Sequence, residues 1–203
     1  MSRIIIAAAK RDTLWLIARD PANDLVHATD SEASLRARLG AANVIADTIN
    51  VGEGFLEPGT ILFPDDSTRR LAVLWADTEH RTHPTRVWVQ GSRTRWFVPP
   101  GITFGTSLAQ LERLNGRPFH LSGFGWDYGG TIIDWNGGRL DSLWKSAPGG
   151  EVHAWLRLSP VGPLGPAAER LDRQVSGDRD FLSSHPAMRG LKPVVDDISI
   201  VPR

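Results

Sequence analysis

The sequence predicts an α+β fold in which tandem units, each a helix followed by an antiparallel meander, form an antiparallel sheet with helices packed on one face. Three observations predict it. Short segments rich in β-branched and aromatic residues recur between turn formers. Two stretches carry apolar side chains at helical spacing between an N-cap and a glycine stop. Fragments around those two helices also repeat.

In chain order, Ile4 to Ala9 is the first apolar run, flanked by Arg3 and by Lys10 and Arg11. Six residues fall short of a signal-peptide core and far short of a membrane span, so the run is expected to be an edge strand, or the stump of an export signal. The first helix is expected over Asp30–Leu39, with Leu35 and Leu39 on one face, Thr29 and Glu32 at capping-box spacing and Gly40 as a left-handed stop. Strands follow at Leu71–Trp75 and Arg86–Gln90, after a turn at Asp65-Asp66-Ser67. The second helix is expected over Thr106–Leu114, with Leu108 and Leu111 on its stripe, Ser107 and Gln110 as capping box and Gly116 as stop. Further strands are expected at Thr131–Trp135, Val152–Leu158 and Ile198–Val201, with turns at Asn136-Gly137-Gly138 and Pro148-Gly149-Gly150. Pro160 to Pro166 carries three prolines and reads as an extended loop leading into a short helix near Ala167–Gln174.

The repeat is read from matched strings. Ser34-Leu35 leads after 25 residues to Gly59-Thr60-Ile61, and Ser107-Leu108 leads after 23 to Gly130-Thr131-Ile132, a period of 73. Gly52-Glu53-Gly54 and Gly123-Phe124-Gly125 lie between. The chain is accordingly divided into residues 1–100 and 101–203, the second unit carrying a Pro/Gly-rich excursion over 159–193, the two packed as one body.

Composition mostly excludes function classes. The 203 residues hold 23 Lys+Arg against 23 Asp+Glu, which argues against a nucleic-acid backbone or an anionic membrane as partner. With no cysteine, disulfides, thiol catalysis and cysteine metal sites are excluded, and no cofactor is expected. No Gly-x-Ser-x-Gly elbow, phosphate loop or His-Glu-x-x-His helix occurs.

The densest string is Gly123-Phe-Gly-Trp-Asp-Tyr-Gly-Gly130. Phe124, Trp126 and Tyr128 alternate with small or acidic residues and would share one side of an extended segment, with Asp127 opposite, as a rigid aromatic platform for a protein, a peptide or a sugar ring. The same string can instead serve as a bulged hairpin that fills the core. Trp88 lies between Val87 and Val89 and is expected on the opposite face, beside Arg86 and Gln90, while Trp75 falls with Leu71 and Val73 in the core. His80 and His83, with Asp77 and Glu79 nearby, have loose metal-ligand spacing, but the stretch reads as a loop and no metal is assigned. Carboxylates for a glycosidase pair are available at Glu53, Glu57, Asp127 and Asp134.

By Gly105-Thr-Ser-Leu108, Leu111–Phe119 and above all Gly123–Gly130, together with Val51–Gly54, Gly59–Phe63 and Leu71–Trp75, residues 30 to 145 resemble a family of bacterial proteins of unassigned function, many of them exported. The resemblance implies a periplasmic or cell-envelope setting, whereas the start as written implies the cytoplasm. It carries no catalytic residue over. The tandem organisation also resembles β-lactamase-inhibitor proteins and small outer-membrane-assembly lipoproteins, which bind other proteins with a sheet face, although the cysteine pairs of those proteins are missing here. The expected function is therefore a non-catalytic protein- or peptide-binding module using Trp88, Phe124, Trp126, Asp127, Tyr128 and Glu53. The alternative is a carbohydrate-directed hydrolase.

Overall fold

The computed structural model describes residues 14–16, 24–141, 145–146, 151–152 and 154–203. The Ile4–Ala9 run, the Pro148–Gly150 turn and Trp144 lie outside the described residues, as does the side chain of Trp15. The fold is α+β, with four α-helices among the described residues and mostly antiparallel strands. Contacts divide the chain into two compact units, one of Met1–Asn50, Leu56–Thr103 and Pro202–Arg203, the other of Val51–Phe55 and Phe104–Val201.

The first unit opens with the short strand β1 (Leu14–Trp15), which pairs in parallel with β6 (Trp96–Phe97). Its helix α1 (Glu32–Leu39) starts at Ser31, whose side chain accepts the Ser34 N–H while the Ser34 hydroxyl accepts the Ser31 N–H. The expected pair Thr29 and Glu32 is thus displaced, because the Glu32 carboxylate turns to the sheet and takes the buried Thr60 hydroxyl at 2.7 Å. Gly40 ends the helix at a positive φ of 90°, as a glycine stop requires, but with ψ 140° it lies outside the αL basin, and it leads into a 3₁₀ turn at Ala41–Asn43.

Four strands follow, β2 (Val44–Gly52), β3 (Phe55–Leu62), β4 (Leu71–Asp77) and β5 (Thr82–Val89), adjacent in sequence order. In β4, Leu71 to Trp75 are all buried, and the Trp75 indole N–H donates to Thr60 Oγ1 at 3.0 Å. β5 begins earlier than the sequence predicts and takes in His83 and Pro84, for which the sequence predicts a loop. The register shift between Leu74 and Trp75 sets Trp75 opposite Pro84, and such an irregularity tolerates a residue without an N–H. Val87 and Val89 are buried, so Trp88 lies on the other face, half-buried, with the Arg86 guanidinium 4.7 Å from its ring centre.

In the second unit, α2 (Leu108–Asn115) carries both expected caps. Ser107 and Gln110 form the capping box, and Gly116 closes the helix at φ 81° and ψ 0°. Leu108 and Leu111 are buried, and so is Asn115, which fixes the following turns. Its Nδ2 donates to the carbonyls of Arg117 and Trp135, and its Oδ1 accepts the Leu140 N–H. Phe119 and Trp135 pack with ring centres 5.1 Å apart.

This unit combines local strand pairs with pairs that cross long stretches of sequence. β7 (His120–Ser122) lies between β8 (Ile132–Asp134) and the late strand β12 (Asp180–Leu182), while the short β9 (Lys145–Ser146) pairs with β10 (Glu151–Val152). β11 (Ala154–Ser159) pairs antiparallel with β13 (Val194–Ile200). The excursion after Ser159 contains α3 (Pro166–Asp172), opened by a proline at its first position, and α4 (Pro186–Leu191), which buries Ala187, Met188 and Leu191. Glu112 of α2 accepts the Ser183 hydroxyl at 2.7 Å and pairs with Arg189 of α4 at 2.9 Å.

The matched strings occupy different places in the two units. Glu53 and Gly54, both at positive φ, are the two-residue turn between β2 and β3, whereas Gly123–Gly125 opens a loop held by residues 175–179. Thr60 is buried in mid-strand, whereas Thr131 makes an isolated bridge to Arg157.

Candidate functional site

The Gly123–Gly130 segment is a compact turn rather than an extended strand. Gly125 takes φ +83°, which breaks the two-residue alternation on which the shared aromatic side was predicated. The three aromatics separate as a result. Phe124 is 5% exposed and belongs to the core, while Trp126 is 36% and Tyr128 59% exposed.

Local bonds fix this shape. The Trp126 indole N–H donates to the Gly123 carbonyl at 2.9 Å, and Ser122 Oγ donates to the Tyr128 carbonyl at 2.6 Å. The Trp126 and Tyr128 rings meet edge to face, 5.4 Å apart, an arrangement that favours the ring quadrupoles. With its N–H satisfied inside the turn, Trp126 presents ring surface to its surroundings.

Distant segments hold the turn from both sides. On one, Phe124 N–H donates to the Val175 carbonyl and Gly177 N–H to the Phe124 carbonyl, each at 2.8 Å. On the other, Leu158 N–H donates to the Gly130 carbonyl at 2.9 Å. The backbones approach so closely that a Cβ on Gly130 would lie 1.9 Å from the Leu158 carbonyl oxygen, and φ at Gly130 is +78°. Close packing therefore explains Gly123, Gly129 and Gly130, and positive φ explains Gly125, whereas neither explains the exposure of Trp126 and Tyr128.

A cleft of about 580 Å³ opens beside this turn. One wall is Phe124, Trp126 and Asp127, and the other is Arg157 and Ser159 of β11 with Pro160, Gly162 and Leu164 of the proline-rich loop; Asp172 closes it from the end of α3. The excursion is thus a wall of the cleft. Along β11 the buried residues are Ala154, Leu156 and Leu158, so Trp155, 38% exposed, shares the outward face with Arg157 and Ser159.

The charges in the cleft are unevenly satisfied. Arg157 is answered by Asp196 and Asp197 at 3.5 and 3.8 Å. Asp172 accepts the Ser176 hydroxyl at 3.1 Å. Asp127 is exposed and makes no hydrogen bond or ion pair with the described residues.

Among the residues predicted from sequence, the structure brings Phe124, Trp126 and Asp127 to the cleft and sets Tyr128 against Trp126. Trp88, Glu53, Glu57 and Asp134 do not line it. Glu53 occupies the β2–β3 turn, and Asp134 accepts the Asn136 N–H at 2.9 Å. Sequence reasoning missed Arg157, Asp172 and the outward face of Trp155. The alternation in Ala154–Ser159 carries a signal for Trp155 and Arg157, while nothing local marks Asp172.

The histidine cluster has local partners. His80 Nδ1 lies 2.9 Å from Asp77 Oδ2, and the His80 N–H donates to Asp77 Oδ1 at 2.9 Å. These backbone and side-chain bonds hold the Asp77 carboxyl below its usual range. His83 Nδ1 meets the Thr82 hydroxyl at 3.0 Å, and no group of three or more His, Asp or Glu suited to a metal occurs among the described residues. No described helix is long and apolar enough to cross a membrane.

Comparison of the chain with protein-family models, with curated proteins and with solved structures gives no match.

Proposed function

We propose that the chain is a non-catalytic binding module whose second unit receives an extended segment of a protein or peptide partner in the cleft beside the Gly123–Gly130 turn. One observation carries this reading. Trp126 and Tyr128 are held outward by bonds that leave their rings exposed, next to a concave surface whose size is that of a ligand site. Exposed, rigid aromatics at the edge of a pocket supply contact area at low entropic cost, which is why tryptophan and tyrosine dominate binding hot spots. Trp155 extends the aromatic surface along β11, the direction an extended segment would take. The proposed partner surface is therefore a turn and a strand edge of the cleft rather than a broad sheet face. The resemblance of residues 30 to 145 to exported bacterial proteins supports a partner in the cell envelope, and the tandem-repeat origin of the two helices is proposed with it.

Selection from a displayed peptide library tests this. Wild-type protein is expected to enrich a family of sequences that Trp126→Ala fails to retain, with thermal stability of the variant within a few degrees of wild type. Enrichment that survives Trp126→Ala, or no enrichment, would contradict the proposal.

A second reading, a carbohydrate-directed hydrolase, is favoured by the presence of Asp127 and Asp172 in one aromatic-lined cleft. That chemistry uses two carboxyl groups about 5–9.5 Å apart. Release of reducing sugar from a polysaccharide panel, abolished by Asp127→Asn, would favour it over binding alone.

A further inference from the structure

We infer that the cleft takes a basic side chain, an arginine or lysine carried on the extended partner segment; the inference rests on the binding reading above and names the chemistry of its ligand. Negative charge in the cleft is unmatched. Two carboxylates, Asp127 and Asp172, line the cleft, and neither has a cationic partner among the described residues. Among the described lining residues the one cation, Arg157, already has Asp196 and Asp197 within 3.5 and 3.8 Å. The cleft therefore presents the carboxylates of Asp127 and Asp172 beside a guanidinium that is already engaged outside the lining.

The aromatic surface points the same way. The Trp126 N–H is consumed by the Gly123 carbonyl, so the ring offers its π-face and edge rather than a donor. A π-face attracts a cation, best of all at tryptophan. A ring next to an unpaired carboxylate, as Trp126 is to Asp127, suits a flat guanidinium or an alkyl-ammonium stem: the hydrocarbon packs on the ring while the charge reaches the carboxylate. An acidic ligand would meet the carboxylates of Asp127 and Asp172, and a neutral one would leave both without a cationic partner among the described residues.

The test uses the intact chain, ¹⁵N-labelled, titrated with three capped heptapeptides identical except at the centre, which holds arginine, citrulline or glutamate in a glycine–serine context. The readout is the Trp126 indole N–H resonance, assigned from Trp126→Phe, with the remaining indole signals as internal control. The arginine peptide is expected to bind about tenfold more tightly than the citrulline peptide, with the margin shrinking as salt is raised. Asp127→Asn combined with Asp172→Asn is expected to erase that margin while the amide spectrum stays dispersed. Equal binding of arginine and citrulline peptides, or tighter binding of the glutamate peptide, would overturn the inference and leave the binding reading standing. No movement of the Trp126 resonance with any of the three would overturn both.

Discussion

Two sets of carboxylates in this molecule are treated in opposite ways. Around α1, Asp30 is buried and saturated. It takes both Arg38 Nη atoms, at 2.7 and 3.0 Å, the His27 N–H at 2.9 Å and the Ser34 hydroxyl at 2.7 Å. Glu32 next to it holds Thr60, Arg36 and Arg81. In the cleft, Asp172 holds one hydroxyl and Asp127 holds none of the described residues. The saturated pair has a complete structural explanation, since each acceptor position ties the helix to its own cap or to the sheet. The cleft pair has almost none, and a charge with no folding role beside exposed aromatics is where an external ligand is expected.

The largest expected effect probes the scaffold of the cleft. Gly130→Ala puts a Cβ into the Leu158 carbonyl at a backbone conformation that disfavours side chains, and should cost about 3 kcal/mol or more in urea unfolding. A cost under about 1 kcal/mol would mean that the turn can relax and is not held as described.

Next, Arg38→Ala removes two bonds from a carboxylate that is almost fully enclosed, and should cost about 2 kcal/mol. Asp127→Asn should change stability by no more than about 0.5 kcal/mol, because no hydrogen bond or ion pair among the described residues uses its carboxylate. Equal costs for the two substitutions would erase the contrast.

The acid limb of the stability profile sharpens it. Burial pushes the Asp30 carboxyl up, but the bonds from Arg38, His27 and Ser34 outweigh burial and hold it below its usual value. The unfolded chain therefore binds the proton first as pH falls. The stabilisation is fully present above the unfolded value of about 4 and is lost as pH drops through the lowered folded value. Urea midpoints should fall from pH 5 to pH 3, and less steeply in Asp30→Asn. The smallest effect belongs to the exposed pair of Asp77 and His80, where His80→Ala should leave the urea midpoint unchanged within error.

What could be read from the sequence follows the range of the interactions concerned. The α2 caps at Ser107, Gln110 and Gly116 rest on contacts three or four residues long and were legible. So was the split of Val87 and Val89 from Trp88, which needs only strand alternation. At α1 the same local rule chose Thr29 and Glu32, because spacing does not show that Glu32 is drawn away by Thr60, 28 residues on. The aromatic string was visible, but its shape was not: one positive φ at Gly125 sends Phe124 inward and Trp126 outward. The second wall of the cleft was beyond reach, since Leu158 and Val175 meet the turn across 28 and 51 residues and no local pattern records such pairing.

The central claim is that the Gly123–Gly130 turn is a binding surface on a rigid, glycine-built frame. A chemical-shift map of the chain with a peptide enriched by selection tests it most directly. The account predicts perturbations concentrated at Phe124–Gly129, Trp155–Leu164 and Asp172, with the Trp126 indole shifted most. Saturable shifts confined to α1 and β2–β5, with the Trp126 resonance unmoved, would contradict it.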